Sequence, residues 1–405
     1  DAISTKRHVL RNTLEELEAL EERALPYLLS ILGVPPAPEW PNACIGHLDD
    51  AALQKMTHAA LQHFILGLSA RGPTLLVFED LHWVDPASLT ALQYLIRTLA
   101  GAPVMFVLIS RDSELGTVIQ PLMDAAVKLP AAPLDIHLAP LPRADCEELV
   151  MCLIPQIKGD AQGLRSAVVE RSEGNPFYAE EIVRMLLDHG ALRRYDGAWT
   201  VTSEAINLAR EVPPTLAGLI LARMDGLSQT CRRALQVASV LNGNISVSLL
   251  DSLTGLGERE IATVLRSLVE HGFLLREVLP GVESGDRYVF RHAVVQETVY
   301  NTLISRDQRQ LHGLVAQALE VGADTDSLDT MESLAYHYSA GSEPERAIPY
   351  LLGTAELAAR RCAYQDAIVF YRKVLDEKVV GALQQKDLLQ AQIGLGRALK
   401  FVGEY

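Results

Sequence analysis

Residues 74–86 carry the most informative stretch of the sequence, and they read Thr-Leu-Leu-Val-Phe-Glu-Asp-Leu-His-Trp-Val-Asp-Pro. The apolar run Leu75–Phe78 leads directly into two adjacent acids, Glu79 and Asp80. A short apolar run without alternation predicts a strand buried on both faces of a parallel sheet. Acids at the carboxyl end of such a strand lie at the edge where α/β sheets bind ligands. The stretch therefore predicts an α/β fold with a ligand site at Glu79 and Asp80.

A strand that ends in paired acids is the Walker B pattern. One acid holds Mg²⁺ through water, and the other polarises the water that attacks a γ-phosphate. The pattern normally works with a phosphate-cradling loop of the form Gly-x-x-x-x-Gly-Lys-Ser/Thr. The present sequence contains no Gly-Lys dipeptide. The acids thus indicate one half of a nucleotide site, without the loop that cradles the phosphates.

The composition is that of a globular protein and argues against several functional classes. Hydrophobic residues make up 49% of the 405 residues, which is enough for two to four domains with real cores. The net charge of −15 argues against a nucleic-acid-binding surface, because phosphate neutralisation needs clustered Lys and Arg. No apolar run reaches the roughly 20 residues that span a bilayer. The five cysteines lack zinc-site spacing, which favours free thiols and a cytoplasmic location.

The first third of the chain alternates helices and strands, which is typical of a parallel α/β sheet. Helices are predicted over 5–32, 49–70 and 87–99, and strands over 74–79, 103–110 and 133–138. Asp85 and Pro86 are expected to open the third helix as its N-cap and first helical residue.

The remainder of the chain is predicted to be mainly helical. Asn175 can cap a helix that Pro176 begins, and a β wing over Phe273–Val278 and Tyr288–Arg291 suggests a winged helix. Small and aromatic residues at Ala367 and Tyr371 are typical of tetratricopeptide-like hairpins. The expected domains are a partial α/β core over 1–142, a helical lid over 143–211, a winged-helix domain over 212–292 and a tetratricopeptide-like α-helical array over 293–405.

The predicted domains and their sequence blocks, in this order, resemble the STAND class of signalling P-loop ATPases. The likeness is to the bacterial AAA-like module found beside adenylate/guanylate cyclase domains, protein kinases or LuxR-type regulators. The residues that carry it are Phe78–Pro86, Ile109-Ser110-Arg111, Gly174-Asn175-Pro176-Phe177 with Glu180-Glu181, Val212–Leu216, and Phe290-Arg291-His292-Ala293 with Gln296-Glu297 and Tyr300. Because that family places its phosphate-binding loop about a hundred residues before the Glu-Asp strand, the chain is expected to be a fragment that starts after this loop.

The resemblance implies roles for particular residues. Glu79 takes the Mg²⁺ side, through water, and Asp80 activates the attacking water, although most P-loop ATPases have Asp first and the two catalytic roles are exchangeable. Arg111 is implied to sense the γ-phosphate with its forked guanidinium donors, with a surface ion pair to Asp112 or Glu114 as the alternative. Asn175 and Pro176 are implied to bind the nucleotide as part of a Gly-x-Pro motif whose Pro packs against the adenine, with a plain helix start as the alternative.

The resemblance also implies a nucleotide-sensing role for His292, which occupies the His position of a Met-His-Asp motif that contacts the ADP β-phosphate. Ala293 replaces the Asp of that motif, so the match is partial. A packed or capping histidine is the alternative. Trp83 is expected to pack the loop onto the following helix, and Asp85 to act only as a helix cap.

The expected function is that of an ATP/ADP-binding regulatory switch that uses Mg²⁺ and relays nucleotide state to an effector. ATP hydrolysis is expected only in a protein that also has the phosphate-binding loop. The C-terminal helical array is expected to bind a protein partner, with a cyclase, kinase or regulator domain in the full protein and with no membrane or direct nucleic-acid contact. The alternatives are an interaction scaffold without hydrolysis, and part of a DNA-binding regulator whose basic domain lies beyond Tyr405.

Overall fold

We describe a computed structural model of the chain. It describes residues 8–14, 24–31, 50–111, 118–127, 132–158, 161–195, 198–241, 243, 245–277, 287–322, 328–360, 363–376 and 384–402. The chain divides into two compact units: Asp1–Asp135 with Ala323–Ser339 and Glu343–Tyr405, and Ile136–Gly322 with Ala340–Ser342.

The helices and strands are numbered in chain order. The helices are α1 (8–14), α2 (Leu25–Ile31), α3 (Asp50–Arg71), α4 (Pro86–Thr98), α5 (Gln120–Ala126), α6 (Arg143–Leu153), α7 (Ala161–Ser172), α8 (Pro176–Asp188), α9 (Ala205–Arg210), α10 (Leu216–Asp225), α11 (Gln229–Val240), α12 (Val247–Thr254), α13 (Glu258–Glu270), α14 (Ala293–Tyr300), α15 (Ser305–Gly322), α16 (Leu328–Ala340), α17 (Ile348–Arg360), α18 (Tyr364–Val374) and α19 (Gln385–Val402). The strands are β1 (Thr74–Phe78), β2 (Val104–Leu108), β3 (Ile157–Lys158), β4 (Leu192–Tyr195), β5 (Ala198–Val201), β6 (Ile245–Ser246), β7 (Leu274–Glu277) and β8 (Arg287–Phe290). A small parallel sheet followed by a mostly helical chain confirms the predicted fold class.

The sheet of the first unit consists of β1 and β2, which pair in parallel with Phe78 opposite Leu108. One face packs on α3, α4 and α5 through Leu76, Phe78, Val104, Phe106 and Leu108. The other face carries Leu75, Val77, Met105 and Ile109, which are 44–64% exposed. The prediction of a strand buried on both faces is therefore wrong for the described residues, because the helices pack on one face only.

Two other expectations for the first unit need correction or restriction. The strand predicted over 133–138 is wrong: these residues have no regular structure, and Leu134, Ile136 and Leu138 are at least 68% exposed. The helix predicted over 5–32 is described only as α1 and α2, and residues 15–23 lie outside the described ranges.

The C-terminal helices α17, α18 and α19 form an array in which α18 packs against both of the others. Ala367 and Tyr371, the small and aromatic pair found in the sequence, are both buried there. Within the same unit α18 also packs on α4, and this contact brings Asp366 close to Asp85 and Glu332. Burial, followed by these two carboxylates, raises the pKa of Asp366 to about 6.

The second unit contains two hydrophobic cores. The first is built on α6–α9 and the sheet β3-β5-β4, in which β4 and β5 form an antiparallel hairpin. The second is built on α10–α15 and the sheet β6-β8-β7. The winged-helix interpretation of this second part stays a prediction, although β7 and β8 do pair as antiparallel strands.

The described residues also answer two points raised by the sequence. No helix among them combines the length and the apolar character needed to cross a membrane. Cys146, Cys152 and Cys231 are free thiols, and Cys152 is exposed.

Candidate functional site

The loop that follows β1 presents the two acids of the Walker B pattern to solvent. Glu79 and Asp80 are both exposed. Two backbone hydrogen bonds tie this loop to the end of β2: the Ile109 N–H donates to the Phe78 carbonyl at 2.9 Å, and the Leu81 N–H donates to the Ile109 carbonyl at 3.1 Å. The acids therefore lie at the carboxyl edge of the sheet, as the sequence predicts.

The backbone of Asp80 adopts a left-handed conformation, with φ 54° and ψ 36°. This conformation is uncommon for residues other than glycine and is favoured by Asp and Asn. It lets the chain turn from the strand into a short 3₁₀ helix over Leu81–Trp83. The local fold thus fixes the backbone of Asp80 and leaves its carboxylate in solvent.

The residues after the acids differ in part from expectation. Asp85 caps α4 as predicted, and its carboxylate accepts a hydrogen bond from the Ser88 N–H at 2.8 Å. Trp83 does not pack on the following helix, because its side chain is 78% exposed. Leu81 of this loop is instead buried and joins the core formed by α4 and α5.

Arg111 lies three residues beyond the end of β2 and is exposed. Because β1 and β2 are parallel, their carboxyl ends meet at the same edge of the sheet. The structure therefore brings Arg111 to the edge that carries Glu79 and Asp80. Its alternative ion-pair partners, Asp112 and Glu114, lie outside the described residues.

Asn175 and Pro176 form the start of α8 in the manner expected from local chemistry. The Asn175 side chain accepts a hydrogen bond from the Tyr178 N–H at 3.1 Å, and Pro176 is the first helical residue. Both residues are exposed. The capping alternative is thus fully satisfied by the structure, and a role against adenine stays a prediction.

His292 is at the N-cap position of α14, but its side chain makes no capping hydrogen bond. Its ring lies 4.0 Å, centroid to centroid, from the ring of Phe177, the residue after Pro176. Two sequence blocks far apart in the chain therefore meet in the second unit.

The electrostatic surroundings of His292 favour a neutral imidazole. Burial, followed by the neighbouring Arg291 guanidinium, lowers the pKa of His292 below its usual value. Its Nε2 atom is buried and has no hydrogen-bond partner within the described part of the chain. A buried ring nitrogen without a partner is unusual, and such an atom can donate to an incoming oxygen.

A buried ion network in the same unit is not evident from the sequence. Arg223 of α10 pairs with Glu181 of α8, and both side chains are only 1% exposed. The Arg223 Nε donates to Asp188 at 3.0 Å, and Asp188 also lies 3.0 Å from the His271 ring. A second N–H of Arg223 donates to the His271 carbonyl.

The position of Arg223 within α10 is the signal that could have revealed this network. Arg223 follows Leu219 and Ile220 at helical spacing, and these two residues are buried. An arginine on the apolar face of a helix must find partners for its charge, because a buried unpaired charge is costly. The sequence pattern therefore points to a buried ion pair at this position, without naming the partner.

The loop between α9 and α10 is held by α7 and α8. Arg171 of α7 donates through Nε to the Val212 carbonyl at 2.9 Å. The Tyr178 hydroxyl of α8 donates to the Pro213 carbonyl. Thr215 then caps α10 by accepting from the Gly218 N–H at 3.1 Å. The Val212–Leu216 block of the sequence therefore has a structural role in joining the two cores of this unit.

The predicted site residues form two groups. Glu79, Asp80 and Arg111 meet at the sheet edge of the first unit. Asn175 and Pro176 meet His292 through Phe177 in the second unit. Each group is thus assembled from sequence blocks that are separate in the chain.

The residues at the sheet edge fit a magnesium ion that is bound mainly by water and phosphate. Mg²⁺ is commonly held by one or two carboxylates together with waters and substrate phosphates. Glu79 and Asp80 supply such carboxylates in an exposed position. No cluster of three or more His, Cys, Asp or Glu side chains that could hold a metal occurs among the residues the structure covers. The chemistry present therefore suits a Mg²⁺–nucleotide better than a metal held by protein ligands alone.

Comparison with known protein families finds a match in the first part of the chain. Residues 2–107 match the AAA ATPase domain family. This match agrees with the resemblance to STAND-class ATPases. An AAA ATPase domain implies nucleotide binding, usually with Mg²⁺.

Two individual proteins are also similar to the chain. An uncharacterized protein of Rhizobium meliloti (strain 1021) is 26% identical over 351 residues, which are 85% of this chain and 31% of that protein. The chain thus spans about a third of the length of this curated relative. The crystal structure of a STAND protein with a tetratricopeptide repeat sensor from Pyrococcus horikoshii has 12% sequence identity and a TM-score of 0.46, and the match covers 95% of this chain and 58% of that one.

Proposed function

We propose that this chain is the sensing and relay portion of an ATP/ADP-dependent regulatory switch. Glu79 and Asp80 contact the Mg²⁺–nucleotide, and Arg111 senses the γ-phosphate. Asn175, Pro176 and His292 of the second unit also respond to the nucleotide. The observation that carries the proposal is the pair of exposed acids at the carboxyl edge of β1, inside the segment that matches AAA ATPase domains.

The chemistry follows from the residue types at the sheet edge. Bound Mg²⁺ supplies positive charge that neutralises the phosphates during γ-phosphoryl transfer. Glu79 holds the hydrated ion, and Asp80 accepts a proton from the attacking water. Arg111 offers forked N–H donors that match phosphate oxygens, and it suits a phosphate sensor for that reason.

His292 contributes a different interaction. Its neutral ring presents the unpartnered Nε2 atom, and an N–H at this position donates to a phosphate oxygen. Since the Phe177 ring packs on His292, a movement of the α8 start changes the position of this donor. A ligand shifts an equilibrium between two conformations when its contacts with them differ, as this contact would.

The first experiment tests nucleotide binding in the protein extended at its N-terminus to include a phosphate-binding loop. ATP and ADP affinities are measured by calorimetry, with and without Mg²⁺. Asp80→Asn should keep nucleotide binding and slow hydrolysis by about 10²–10⁴-fold, the usual contribution of a general base. Glu79→Gln should weaken the Mg²⁺ dependence. If the extended protein binds neither nucleotide, the proposed function fails.

A matched control distinguishes the effect of losing Glu79 or Asp80 from the effect of a change in net charge. Glu147 and Glu148 are adjacent, exposed acids on α6. Their replacement by Gln should leave nucleotide affinity and turnover unchanged. His292→Leu should weaken ADP binding, while replacement of the exposed His189 by Leu should leave it unchanged.

The C-terminal array is proposed to bind a protein partner. A pocket of about 570 Å³ lies between α17, α18 and α19. Its lining includes Glu356, Arg360, Tyr364, Tyr371, Arg397 and Phe401. Two arginines and three aromatic rings favour a peptide that carries an acidic and an apolar side chain.

The interaction scaffold is the second candidate, and the same pocket favours it. Hydrogen exchange of α17–α19 with ATP and with ADP separates the two functions. The switch predicts exchange that depends on the bound nucleotide, because the array reports nucleotide state. The scaffold predicts equal exchange under both conditions.

A further inference from the structure

The His82 side chain is buried without a hydrogen-bond partner among the described residues, in the loop that carries Glu79 and Asp80. Its side chain is 5% exposed. Neither ring nitrogen has a hydrogen-bond partner among the described residues. Buried polar atoms are normally paired, because an unpaired one retains its full desolvation cost. A histidine held in this way is unusual, and this one shares a loop with the two acids.

The Asp80 carboxylate lies close to the His82 ring. The His82 Nε2 atom lies 3.9 Å from Asp80 Oδ1. A hydrogen bond between these atoms needs about 2.7–3.2 Å, so the gap to be closed is about 1 Å. The Asp80 side chain is 70% exposed and therefore has room to move.

The backbone around the two residues allows little other movement. Asp80 is in the left-handed conformation, the Trp83 N–H donates to the Asp80 carbonyl at 2.9 Å, and the Leu81 N–H donates to the Ile109 carbonyl. A side-chain rotation of Asp80 is consequently the simplest way to close the gap. The buried ring stays in place, since it packs beside Trp83 with 5.3 Å between the ring centroids.

We propose that His82 is a positioning residue for Asp80. The imidazole, with a hydrogen on Nε2, donates to Asp80 Oδ1 when Mg²⁺–ATP binds. This hydrogen bond fixes the carboxylate in the direction of the attacking water, and it gives the ring nitrogen the partner that it lacks. The inference rests on the proposed function, because Asp80 must first act on a nucleotide.

The kinetic test uses the protein that includes a phosphate-binding loop. His82→Leu removes the donor while keeping an apolar side chain of similar bulk, and it should lower kcat by about 10–100-fold, in line with the cost of a misplaced catalytic group. The KM for ATP should change little, because His82 does not touch the nucleotide. His82→Gln retains an N–H donor and should recover most of the lost kcat. The exposed His63→Leu on α3 is the matched control and should behave as the wild type.

A spectroscopic test reports the hydrogen bond itself. In ¹H–¹⁵N spectra of the histidine rings, the His82 Nε2–H should become protected from solvent exchange when a non-hydrolysable ATP analogue binds. His82→Gln assigns the signal by its loss. The protection should disappear in Asp80→Ala and persist in Glu147→Ala, which removes an exposed carboxylate on α6.

The outcomes separate this inference from the proposed function. Absence of nucleotide binding by the wild type overturns both. Binding with an unchanged kcat in His82→Leu, or with no protected Nε2–H in the wild type, overturns only the role of His82. Thermal unfolding of each variant shows whether it is folded. If His82→Leu does not fold, the His82→Gln variant and the ring spectra decide.

Discussion

Replacement of Arg223 by Met should destabilise the second unit strongly. Arg223 and Glu181 are each 1% exposed, so the change leaves a buried carboxylate without its main partner. Removing one member of a buried ion pair costs about 3–5 kcal/mol. For a unit of this size, about 2–4 °C of Tm corresponds to 1 kcal/mol, and the expected fall in Tm is therefore roughly 6–20 °C.

The assay is urea unfolding followed by the fluorescence of Trp199, which lies in β5 of the same unit. Trp40 and Trp83 are replaced by Phe in every variant, so that the signal comes from this unit alone. The matched control is Arg232→Met. The Arg232 side chain is 37% exposed and lies 3.4 Å from Asp225, and such a surface pair contributes about 0–1 kcal/mol.

The double variant Arg223→Met/Glu181→Met provides the decisive comparison. Removing both charges leaves no buried carboxylate at position 181, and exchanging a buried pair for apolar residues is often nearly neutral. The double variant should therefore be more stable than Arg223→Met alone by about 2 kcal/mol or more. The reasoning is refuted if Arg223→Met costs no more than Arg232→Met, or if the two single losses simply add.

Three further predictions concern stability. Gly174→Ala should lower the free energy of unfolding, measured with urea, by about 1–3 kcal/mol. The reason is that Gly174 has φ +79° and an added Cβ would lie 2.6 Å from the Leu141 carbonyl oxygen. Unchanged stability would contradict this. Asn175→Ala should cost about 1 kcal/mol through loss of the helix cap, and Asn175→Ser should restore most of it. The pKa of Asp366 is raised to about 6 from the usual 3.8, so the folded protein favours the protonated carboxyl. The contribution of this group to the free energy of unfolding is complete below about pH 4 and is lost as the pH rises through about 6. Asp366→Asn should therefore be more stable than the wild type at about pH 8, by about 1–2 kcal/mol after allowance for solvent screening. Thermal unfolding near pH 4 should show no difference between the two proteins. Equal pH profiles of their stability would contradict the raised pKa.

Features determined by local chemistry were predictable from the sequence. Asp85 and Asn175 begin α4 and α8 as expected, because a side-chain cap followed by proline decides a helix start within a few residues. The acids after β1 were found for a similar reason, since a strand and its carboxyl end are visible in a short window.

Features that depend on distant residues were not predictable in the same way. Residues 133–138 alternate apolar and polar side chains as a strand does, but a strand also needs a partner, and the described residues supply none. Apolar periodicity likewise does not show how many faces of β1 are covered. The exposed Trp83 shows that an aromatic side chain after a buried strand need not return to the core.

Contacts between distant residues in the candidate site were also not predictable from the sequence. The contact between Phe177 and His292 joins residues from different parts of the chain, and neither sequence block contains information about the other. Arg223 was overlooked because an arginine in a helix is usually a surface residue. The apolar face of α10 indicates a buried ion pair at Arg223, but its partners Glu181, Asp188 and the His271 carbonyl lie in other parts of the chain.

The exposure of Trp83 has a practical consequence for experiments on this protein. The indole is 78% exposed and lies beside His82, two residues before Asp85 and three after Asp80. An aromatic ring at this place reports on its surroundings through its own emission, without an attached dye. Titration of a variant that retains Trp83 and lacks the other two tryptophans would give an optical record of events at the acids, and stopped-flow mixing would give their rates.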